Sequence, residues 1–411
     1  MPNVVSNLQP SLVLNPVIQT TGYYPGRDGS DGYVSDTVGQ IHFLAGTYTG
    51  RGAVDLNGDP ISIQSNAALY SLLGTNFGGD GRTVFAVPDL GGQLNISYGQ
   101  GPGLGSYIVG DRLGQPALNL ITQHLPGAFG GFGLPVDNHQ PTLTIGWYIN
   151  VSGNWPSSMA SNMIGAVAAF AGSFEPSGTM LCDGRLLPIN QYTALFSIIG
   201  TTYGGDGQTT FALPDLRGRT IIGAGLGSDG HNYVLGEVVG SETLAIGSAN
   251  MPGSVGGSGQ AMDNRAPGLV LNALFCANGL YQAMDSDITT IGEIIFFAGS
   301  RLPDDAVPAD GGLLSITENS TAYLMVGNTF GGDGQTTFAV PNLAGRSVMG
   351  DGNGYFIGHV TGSSTMTIGH GDLPGMAING TSGDETINGA TANDTLNGAD
   401  GNDRLNGDSG N

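Results

Sequence analysis

Carboxylate side chains recur at a fixed spacing near the C-terminal end of the sequence. Glu385, Asp394 and Asp403 are nine residues apart, and Asp400 adds a further carboxylate between the last two. Carboxylate and carbonyl oxygens are the ligands that Ca²⁺ prefers in proteins. Glycines repeat with the same period, and their conformational freedom allows backbone carbonyls to point at an ion. The pattern predicts that these carboxylates bind calcium.

The period resembles that of the RTX nonapeptide, G-G-x-G-x-D-x-U-x, whose repeats wind into a parallel β-roll around Ca²⁺. Ile387, Leu396 and Leu405 occupy the apolar position, although alanine replaces some glycines and Glu385 replaces the first aspartate. The alternative interpretation is a flexible Asn/Gly/Asp linker. RTX tails in such families accompany type I secretion, so the resemblance implies an exported, extracellular protein. The sequence stops within a repeat, and we expect the native chain to continue past Asn411.

The rest of the chain consists of three copies of one unit. FGGDGRTVFAVPDL, which begins at Phe77, recurs as YGGDGQTTFALPDL from Tyr203 and as FGGDGQTTFAVPNL from Phe330. These steps of 126 and 127 residues exceed the repeats of a solenoid, which measure about 20 to 50 residues. Each copy is large enough to bury its own core, so the sequence predicts three tandem domains.

The second copy shows the local pattern most clearly. IGAVAAFAGSF (164–174) is predicted to be a buried strand, and Asp183-Gly184 a hairpin turn. A short helix should follow, with Asn190 as its N-cap. We expect the helices of the three copies to end at Gly74, Gly200 and Gly327.

The GGDG sequence that follows each helix contains one aspartate, at Asp80, Asp206 and Asp333. Such a carboxylate could bind a metal ion, but none of the three has a second carboxylate nearby at a fixed offset in all copies. We therefore interpret them as turn-capping residues.

A strand-like segment precedes each unit. NLQPSLVLNPVIQTTGYYP (7–25), NHQPTLTIGWYINVSGNWP (138–156) and NRAPGLVLNALFCANGLYQ (264–282) align with one another, and nothing similar follows the third unit. The chain thus has one segment without a preceding unit and one unit without a following segment.

These motifs resemble the phage tail collar family, specifically its microcystin-dependent-protein-like branch. The matching string, FAGSFEPSGTMLCDGRLLPINQYTALFSIIGTTYGGDGQTTFALPDLRGR, begins at Phe170, and weaker echoes cover about residues 7 to 375. The resemblance implies a mainly β fold with short helices. Three tandem α+β tail-collar domains would be linked by β-strand segments and followed by the start of an RTX-like parallel β-roll. Collar domains belong to trimeric, receptor-facing fibres, which points to a bacterial or phage-derived protein.

Some tail-fibre relatives hold a metal through a His-x-His pair, which this sequence lacks. The repeats place an N-terminal donor-like strand segment and linker at 1–36 and the RTX-like repeats at 379–411. The collar domains are predicted at 37–137, 163–262 and 289–378, with inter-domain strand segments at 138–162 and 263–288.

Composition excludes several classes of function. The net charge is −22, with 33 acidic residues, 11 arginines and no lysine, so nucleic acids and anionic membranes would repel the chain. No apolar run approaches the ~18 residues of a membrane span, and from the first 30 residues we expect no Sec signal. Without such an apolar run, we expect no membrane insertion. No catalytic motif is present, so we do not expect an enzyme. Cys182 and Cys276 are either two buried thiols or one incidental disulfide.

Binding of a surface glycan or receptor is one function that remains, by analogy with tail fibres. Aromatic residues such as Tyr23, Tyr24, Trp147 and Trp155 would stack on sugars if they are exposed. In a β segment, however, aromatic side chains more often pack against the sheet.

The function that we favour from the sequence is a secreted structural protein that assembles with itself, head to tail, into a filament. The N-terminal strand would complete the third collar of the next subunit and gain main-chain hydrogen bonds there. In two rival arrangements, the strand closes onto its own third collar as a ring, or the collars trimerise and leave it as a stem. The residues predicted to form this assembly strand are Asn7, Gln9, Pro10, Leu12, Leu14, Val17 and Ile18.

Overall fold

A computed structural model describes residues 4–26, 37–50, 52–157, 159–160, 162–279, 290–374, 376–379, 384, 386–389, 394–400 and 402–407. Short strands make up most of its regular structure, and the described residues include three α-helices of seven residues each. The predicted fold class, mainly β with short helices, is confirmed.

The first segment and unit contain the elements β1 (Val4–Ser6), β2 (Ser11–Gln19), β3 (Gln40–Leu44), β4 (Ala53–Asp55), β5 (Pro60–Ser62), α1 (Ala67–Leu73), β6 (Val84–Ala86), β7 (Leu94–Ser97), β8 (Gly99–Gln100), β9 (Ser106–Tyr107), β10 (Arg112–Leu113) and β11 (Ala117–Asn119). The second segment and unit contain β12 (Val136–Asp137), β13 (Thr142–Asn150), β14 (Ala166–Phe170), β15 (Thr179–Leu181), β16 (Leu186–Pro188), α2 (Thr193–Ile199), β17 (Thr210–Ala212), β18 (Thr220–Gly223), β19 (Gly225–Leu226), β20 (Asn232–Tyr233), β21 (Val238–Val239) and β22 (Thr243–Leu244).

The third segment and unit contain β23 (Met262–Asp263), β24 (Gly268–Phe275), β25 (Glu293–Phe297), β26 (Val307–Pro308), β27 (Leu313–Ser315), α3 (Ser320–Val326), β28 (Thr337–Ala339), β29 (Ser347–Gly350), β30 (Val360–Thr361) and β31 (Thr365–Met366). The tail contains β32 (Ala377–Asn379), β33 (Thr386–Asn388), β34 (Thr395–Asn397) and β35 (Arg404–Asn406).

The three helices end where the sequence predicts. Gly74, Gly200 and Gly327 are their C-caps, and each has a positive φ of 56° to 62° that glycine adopts readily. The predicted start of α2 is wrong, because Tyr192 rather than Asn190 precedes the first helical residue. A turn delays the helix there, since the backbone N–H of Tyr192 donates to the Pro188 carbonyl.

The second unit confirms one strand prediction and corrects a turn. β14 lies within the predicted buried stretch and is buried along most of its length. Asp183-Gly184, however, is not a hairpin turn, because β15 pairs with β13 while β16 pairs with β17. Gly184 instead forms a corner between two sheets, with its N–H donating to the Pro214 carbonyl at 3.1 Å.

Each of the three long strands β2, β13 and β24 connects two units. The first half of β13 pairs in parallel with β7 of the first unit, and its second half pairs antiparallel with β14 of the second. In the same way, β24 pairs with β18 and then with β25. The strand β2 pairs with β29 of the third unit and then with β3 of the first. The three units therefore form a closed ring with pseudo-threefold symmetry.

The centre of the ring is a shared hydrophobic core. The strands β3, β14 and β25 pair with one another in a cycle. Phe43, Trp147 and Phe296 pack together there, with ring centroids 5.6 to 6.3 Å apart. Trp147 lies opposite Ala169 in the β13–β14 register, where its bulk fills the space that the small side chain leaves.

A second core lies under three short antiparallel pairs, β1–β11, β12–β22 and β23–β31. Each pair joins the start of a segment to a late strand of the unit that follows it. Both cysteines, Cys182 and Cys276, are buried thiols that are not bonded to each other. None of the described helices is long and apolar enough to cross a membrane.

The GGDG aspartates cap turns, as predicted. Asp206 Oδ1 accepts hydrogen bonds from the backbone N–H groups of Gln208, Thr209 and Thr210, and Oδ2 accepts one from the Thr209 hydroxyl. These bonds, the Thr209 hydroxyl first, hold the pKa of Asp206 well below its usual value. Asp80 and Asp333 make the same contacts.

We predict that Asp206→Ala lowers the thermal unfolding midpoint at pH 7 and that the difference from wild type shrinks in acid. The pKa is depressed in the folded state, so the stabilisation is fully present above about pH 4 and is lost as the pH falls further. Scanning calorimetry between pH 7 and pH 2 measures this. Asp206→Asn, which keeps the Oδ1 acceptor, is the control, and a difference that does not vary with pH would contradict the assignment.

Candidate functional site

The assembly strand predicted at the N-terminus occupies a slot in the third unit. Ser11 to Leu14 pair in parallel with Ser347 to Gly350, and Leu12 lies opposite Val348. The strand β30 pairs with Ser11 and Leu12 on the other side, so this half of β2 is enclosed. All seven residues predicted for the strand are buried, namely Asn7, Gln9, Pro10, Leu12, Leu14, Val17 and Ile18.

Within the single chain described, the strand fills the slot of its own third collar, and head-to-tail assembly between subunits stays a prediction. The slot that β2 fills belongs to the same chain because the pseudo-threefold arrangement brings β29 back beside the start of the chain. The structure thus contains the rival arrangement in which the strand closes a ring.

Three buried asparagines link the segments to one another around the ring. Asn7, Asn138 and Asn264 begin the three segments, and each donates from Nδ2 to a backbone carbonyl of the next segment. These bonds run from Asn7 to His139 (2.9 Å), from Asn138 to Arg265 (3.0 Å) and from Asn264 to Leu8 (2.9 Å). The cycle closes between the third segment and the first. Only Asn7 was predicted, although aligning the segments shows asparagine first in each.

Glutamines form a second buried layer beside the asparagines. The backbone N–H of Gln9 donates to Gln140 Oε1 at 2.9 Å, and the N–H of Ala266 donates to Gln9 Oε1 at 3.0 Å. Gln9 Nε2 also donates to the Ser347 hydroxyl at 2.8 Å, which ties the first segment to the third unit. Buried amides of this kind are costly unless they are hydrogen-bonded, so they favour one register of closure.

A buried pair that the sequence did not reveal also joins the first and third units. His42 Nδ1 lies 2.6 Å from Glu293 Oε1, between β3 and β25. The two residues are far apart in the sequence and occupy non-equivalent positions in the repeat, so no local pattern identifies them.

The three junctions carry different side chains at one equivalent position. His139 contacts Asp137 (2.6 Å) and the Tyr107 hydroxyl (2.9 Å) at the first junction. Arg265 contacts Asp263 (2.7 Å) and the Tyr233 hydroxyl (3.2 Å) at the second. At the closing junction, Leu8 and Tyr355 instead pack against a small apolar cluster. The three junctions are therefore chemically distinct at this position, and the junction that closes the ring is apolar there.

The tail forms the two layers of a parallel β-roll. The strand β32 pairs in parallel with β34, and β33 pairs with β35, so strands 18 residues apart are neighbours. Asn397 and Asn406 donate across these pairs to Asn379 and Asn388. The roll rests on the second core, to which Met376 and Ile378 contribute. This regular structure argues against the flexible-linker interpretation.

The predicted calcium ligands lie in different settings. Asp394 Oδ1 accepts from the Met376 backbone N–H at 2.9 Å, while Asp400 is exposed. A Cβ at Gly389 would overlap the Asp394 carboxylate, and one at Gly398 would overlap that of Asp403. The two carboxylates therefore lie beside Gly389 and Gly398, each of which directly follows a strand. Glu385 lies outside the described residues.

Comparison with protein-family models gives two matches. The model of the phage tail collar domain matches residues 39–94, 165–221 and 292–348. The chain carries three phage tail collar domains. The model of the RTX calcium-binding nonapeptide repeat matches residues 379–411. Neither a curated protein nor a solved structure matches the chain.

The three collars are the ring-forming units, and both resemblances seen in the sequence are confirmed. The collar matches lie within the predicted domain ranges, whose exact limits stay predictions. A tail of RTX repeats is a calcium-binding type of fold, and the residues present fit it. Asp394 and Asp403, which lie beside Gly389 and Gly398, would hold the ion together with backbone carbonyls. Among the described residues, those of the tail included, no three His, Cys, Asp or Glu side chains form a metal-binding cluster.

We predict that Asn138→Ala lowers the free energy of unfolding by about 2 kcal/mol, because it removes a buried side chain that donates to two backbone carbonyls. Urea denaturation followed by fluorescence measures the change. Asn397→Ala in the exposed tail is the matched control and should shift stability by less than about 0.5 kcal/mol. Equal effects of the two variants would contradict a special role for the asparagine ring.

We also predict that Ca²⁺ binds the tail and that Asp403→Asn weakens this binding at least about tenfold, because a charged ligand is lost. Isothermal titration calorimetry of the full chain is the measurement. Asp304→Asn, which changes an exposed carboxylate of the third collar, is the control and should leave the affinity unchanged. Absence of heat at millimolar Ca²⁺ would exclude calcium binding.

Proposed function

We propose that this protein is a secreted, non-enzymatic, tail-fibre-like structural protein in which one chain replaces a homotrimer. The observation that carries the proposal is the cyclic pairing of β13 with β7, β24 with β18 and β2 with β29. Collar domains suggest a phage-tail-like structural or fibre protein, and related fibres are trimeric. Three collars in one chain supply the same symmetry without subunit association.

The ring would present a receptor-facing surface, with a surface glycan or receptor as its partner. Tyr23, Tyr24 and Trp155 are exposed, so they are available for such a contact. Trp147 is fully buried in the central core and is not. The acidic charge of the chain disfavours nucleic acid and anionic membranes as partners.

The RTX tail supports an extracellular location, bacterial or phage-derived, with export by type I secretion. External calcium would order the tail, because the site forms fully only in the folded repeats. The tail rests on the second core through Met376 and Ile378, so its ordering would also cover that end of the ring.

Head-to-tail filament assembly is a second candidate function. The specific observation in its favour is that β2 lies near the start of the chain while its slot, β29, lies in the last collar. Exchange of β2 between copies would keep every contact of the closed ring and link the subunits, as in domain swapping. In that case the partner is another copy of the chain.

Light scattering after size-exclusion chromatography distinguishes these candidates. We predict that the full-length protein has the mass of one chain, whereas a chain lacking residues 1–25 forms larger species. The truncation exposes the edge of β29, which then pairs between molecules. Added peptide 7–25 should restore the single-chain mass. A full-length protein that forms long filaments would favour strand exchange, and one with the mass of three chains would contradict the single-chain trimer.

A further inference from the structure

The third collar differs from the other two directly after β29, the strand that is equivalent to β7 and β18. From Ser97 to Tyr107 and from Gly223 to Tyr233, the chain forms the hairpins β8–β9 and β19–β20. The corresponding stretch of the third collar, from Gly350, reaches its tyrosine at Tyr355 and is five residues shorter. It forms only a tight turn, closed by the bridge between Gly352 and Tyr355.

A groove lies beside this short turn, between the third and first collars. It has two lobes of about 370 Å³ and about 220 Å³, which share Thr47, Asp351 and Ile357. The larger lobe lies against the C-terminal end of α3, and the smaller one reaches Asn15, where β2 passes from the third collar to the first. Taken together, the two lobes reach the size of a small-molecule site.

The polar side of the groove is rich in hydrogen-bond acceptors. Asp55, Asn57 and Asp351 line the smaller lobe, and among the described residues neither carboxylate forms an ion pair. Burial raises the pKa of Asp351, and the Asp55 carboxylate raises it further. A half-buried carboxylate without a cation gains most from a ligand that donates hydrogen bonds.

The apolar side of the groove carries an exposed aromatic ring. Phe356 lines the larger lobe and is 75% exposed. The equivalent residues, which also follow the tyrosine, are Ile108 and Val234, so only the third collar has a ring at this position. Exposing a phenylalanine to water is unfavourable unless a partner covers it. The flat face of the ring suits the C–H face of a sugar.

We propose that this groove, at the junction that closes the ring, binds a neutral carbohydrate. Phe356 stacks against one face of a sugar ring, while Asp351, Asp55 and Asn57 accept hydrogen bonds from its hydroxyl groups. Two carboxylates and a net charge of −22 disfavour sialylated or sulfated glycans. The proposal rests on the receptor-binding role given above and names both its site and its ligand class.

Binding to immobilised neutral oligosaccharides built from glucose, galactose, mannose or N-acetylglucosamine tests the site, with sialyllactose as the anionic comparison. At least one neutral probe should bind the full chain, and sialyllactose should not. Phe356→Ile, which installs the residue of the first collar, and Asp351→Ala, which installs that of the second, should each weaken binding at least about tenfold. Val234→Ala is the matched control at the equivalent exposed position of the second collar and should have no effect.

Three outcomes would overturn the groove proposal: no neutral probe binds, sialyllactose binds equally well, or both groove variants bind like wild type. Ca²⁺ binding that Asp351→Ala abolishes without any sugar binding would also overturn it, in favour of a cation. A parallel assay of the same proteins on whole bacterial cells separates failure of the groove proposal from failure of the receptor-binding role. If the full chain binds cells and the groove variants bind equally well, the receptor-binding role stands and the groove fails. If the full chain binds no cells, that role fails.

Discussion

The parallel pairing of β2 with β29 is the contact on which the rest of the ring depends. Without it, the third collar has an open sheet edge and the first segment has apolar residues without a partner. Leu12 is only 1% exposed in the closed ring, and Leu14 is fully buried. Both would face water if the strand detached, and so would unpaired backbone groups on β29. The asparagine cycle and the His42–Glu293 pair also form only when the ring is closed.

Joining three collars in one chain removes a constraint that limits homotrimers. Identical subunits must place identical residues around their axis, whereas this chain does not. Ala169 occupies the position that Phe43 and Phe296 occupy in the other two collars, and Trp147 fills the space beside this small side chain. The junction residues His139, Arg265 and Leu8 differ in the same way. Covalent linkage also raises the effective concentration of each collar for the next.

Local features of this structure could be predicted from the sequence, because each follows from a few adjacent residues. The helix ends at Gly74, Gly200 and Gly327 follow from glycine at a C-terminal position, and the turn role of Asp206 follows from its GGDG context. One error is local, because a turn delays the start of α2 until after Tyr192. The other concerns which strands pair. Asp183-Gly184 forms a corner rather than a hairpin turn, because the strands on either side of it belong to different sheets.

The sequence predicts that the third collar accepts β2, but it does not show whether the strand and the collar belong to the same molecule. The same strand, slot and contacts serve a ring or a swapped polymer, so sequence alone does not separate them. Only the spatial arrangement of three collars around one axis brings β29 back to β2. The same limit applies to the groove, since Asp55 and Asp351 come together only across the closed junction.

Cysteine cross-linking tests the closure most directly. Ser11 and Ser347 are direct partners in the β2–β29 register and are both buried. Neighbouring strands lie about 4.8 Å apart, within the range of Cα separations that a disulfide spans. Oxidation of a dilute Ser11→Cys, Ser347→Cys variant should yield one product with the mass of a single chain on a non-reducing gel. A ladder of cross-linked multimers, absent from wild type treated in the same way, would contradict closure within the chain.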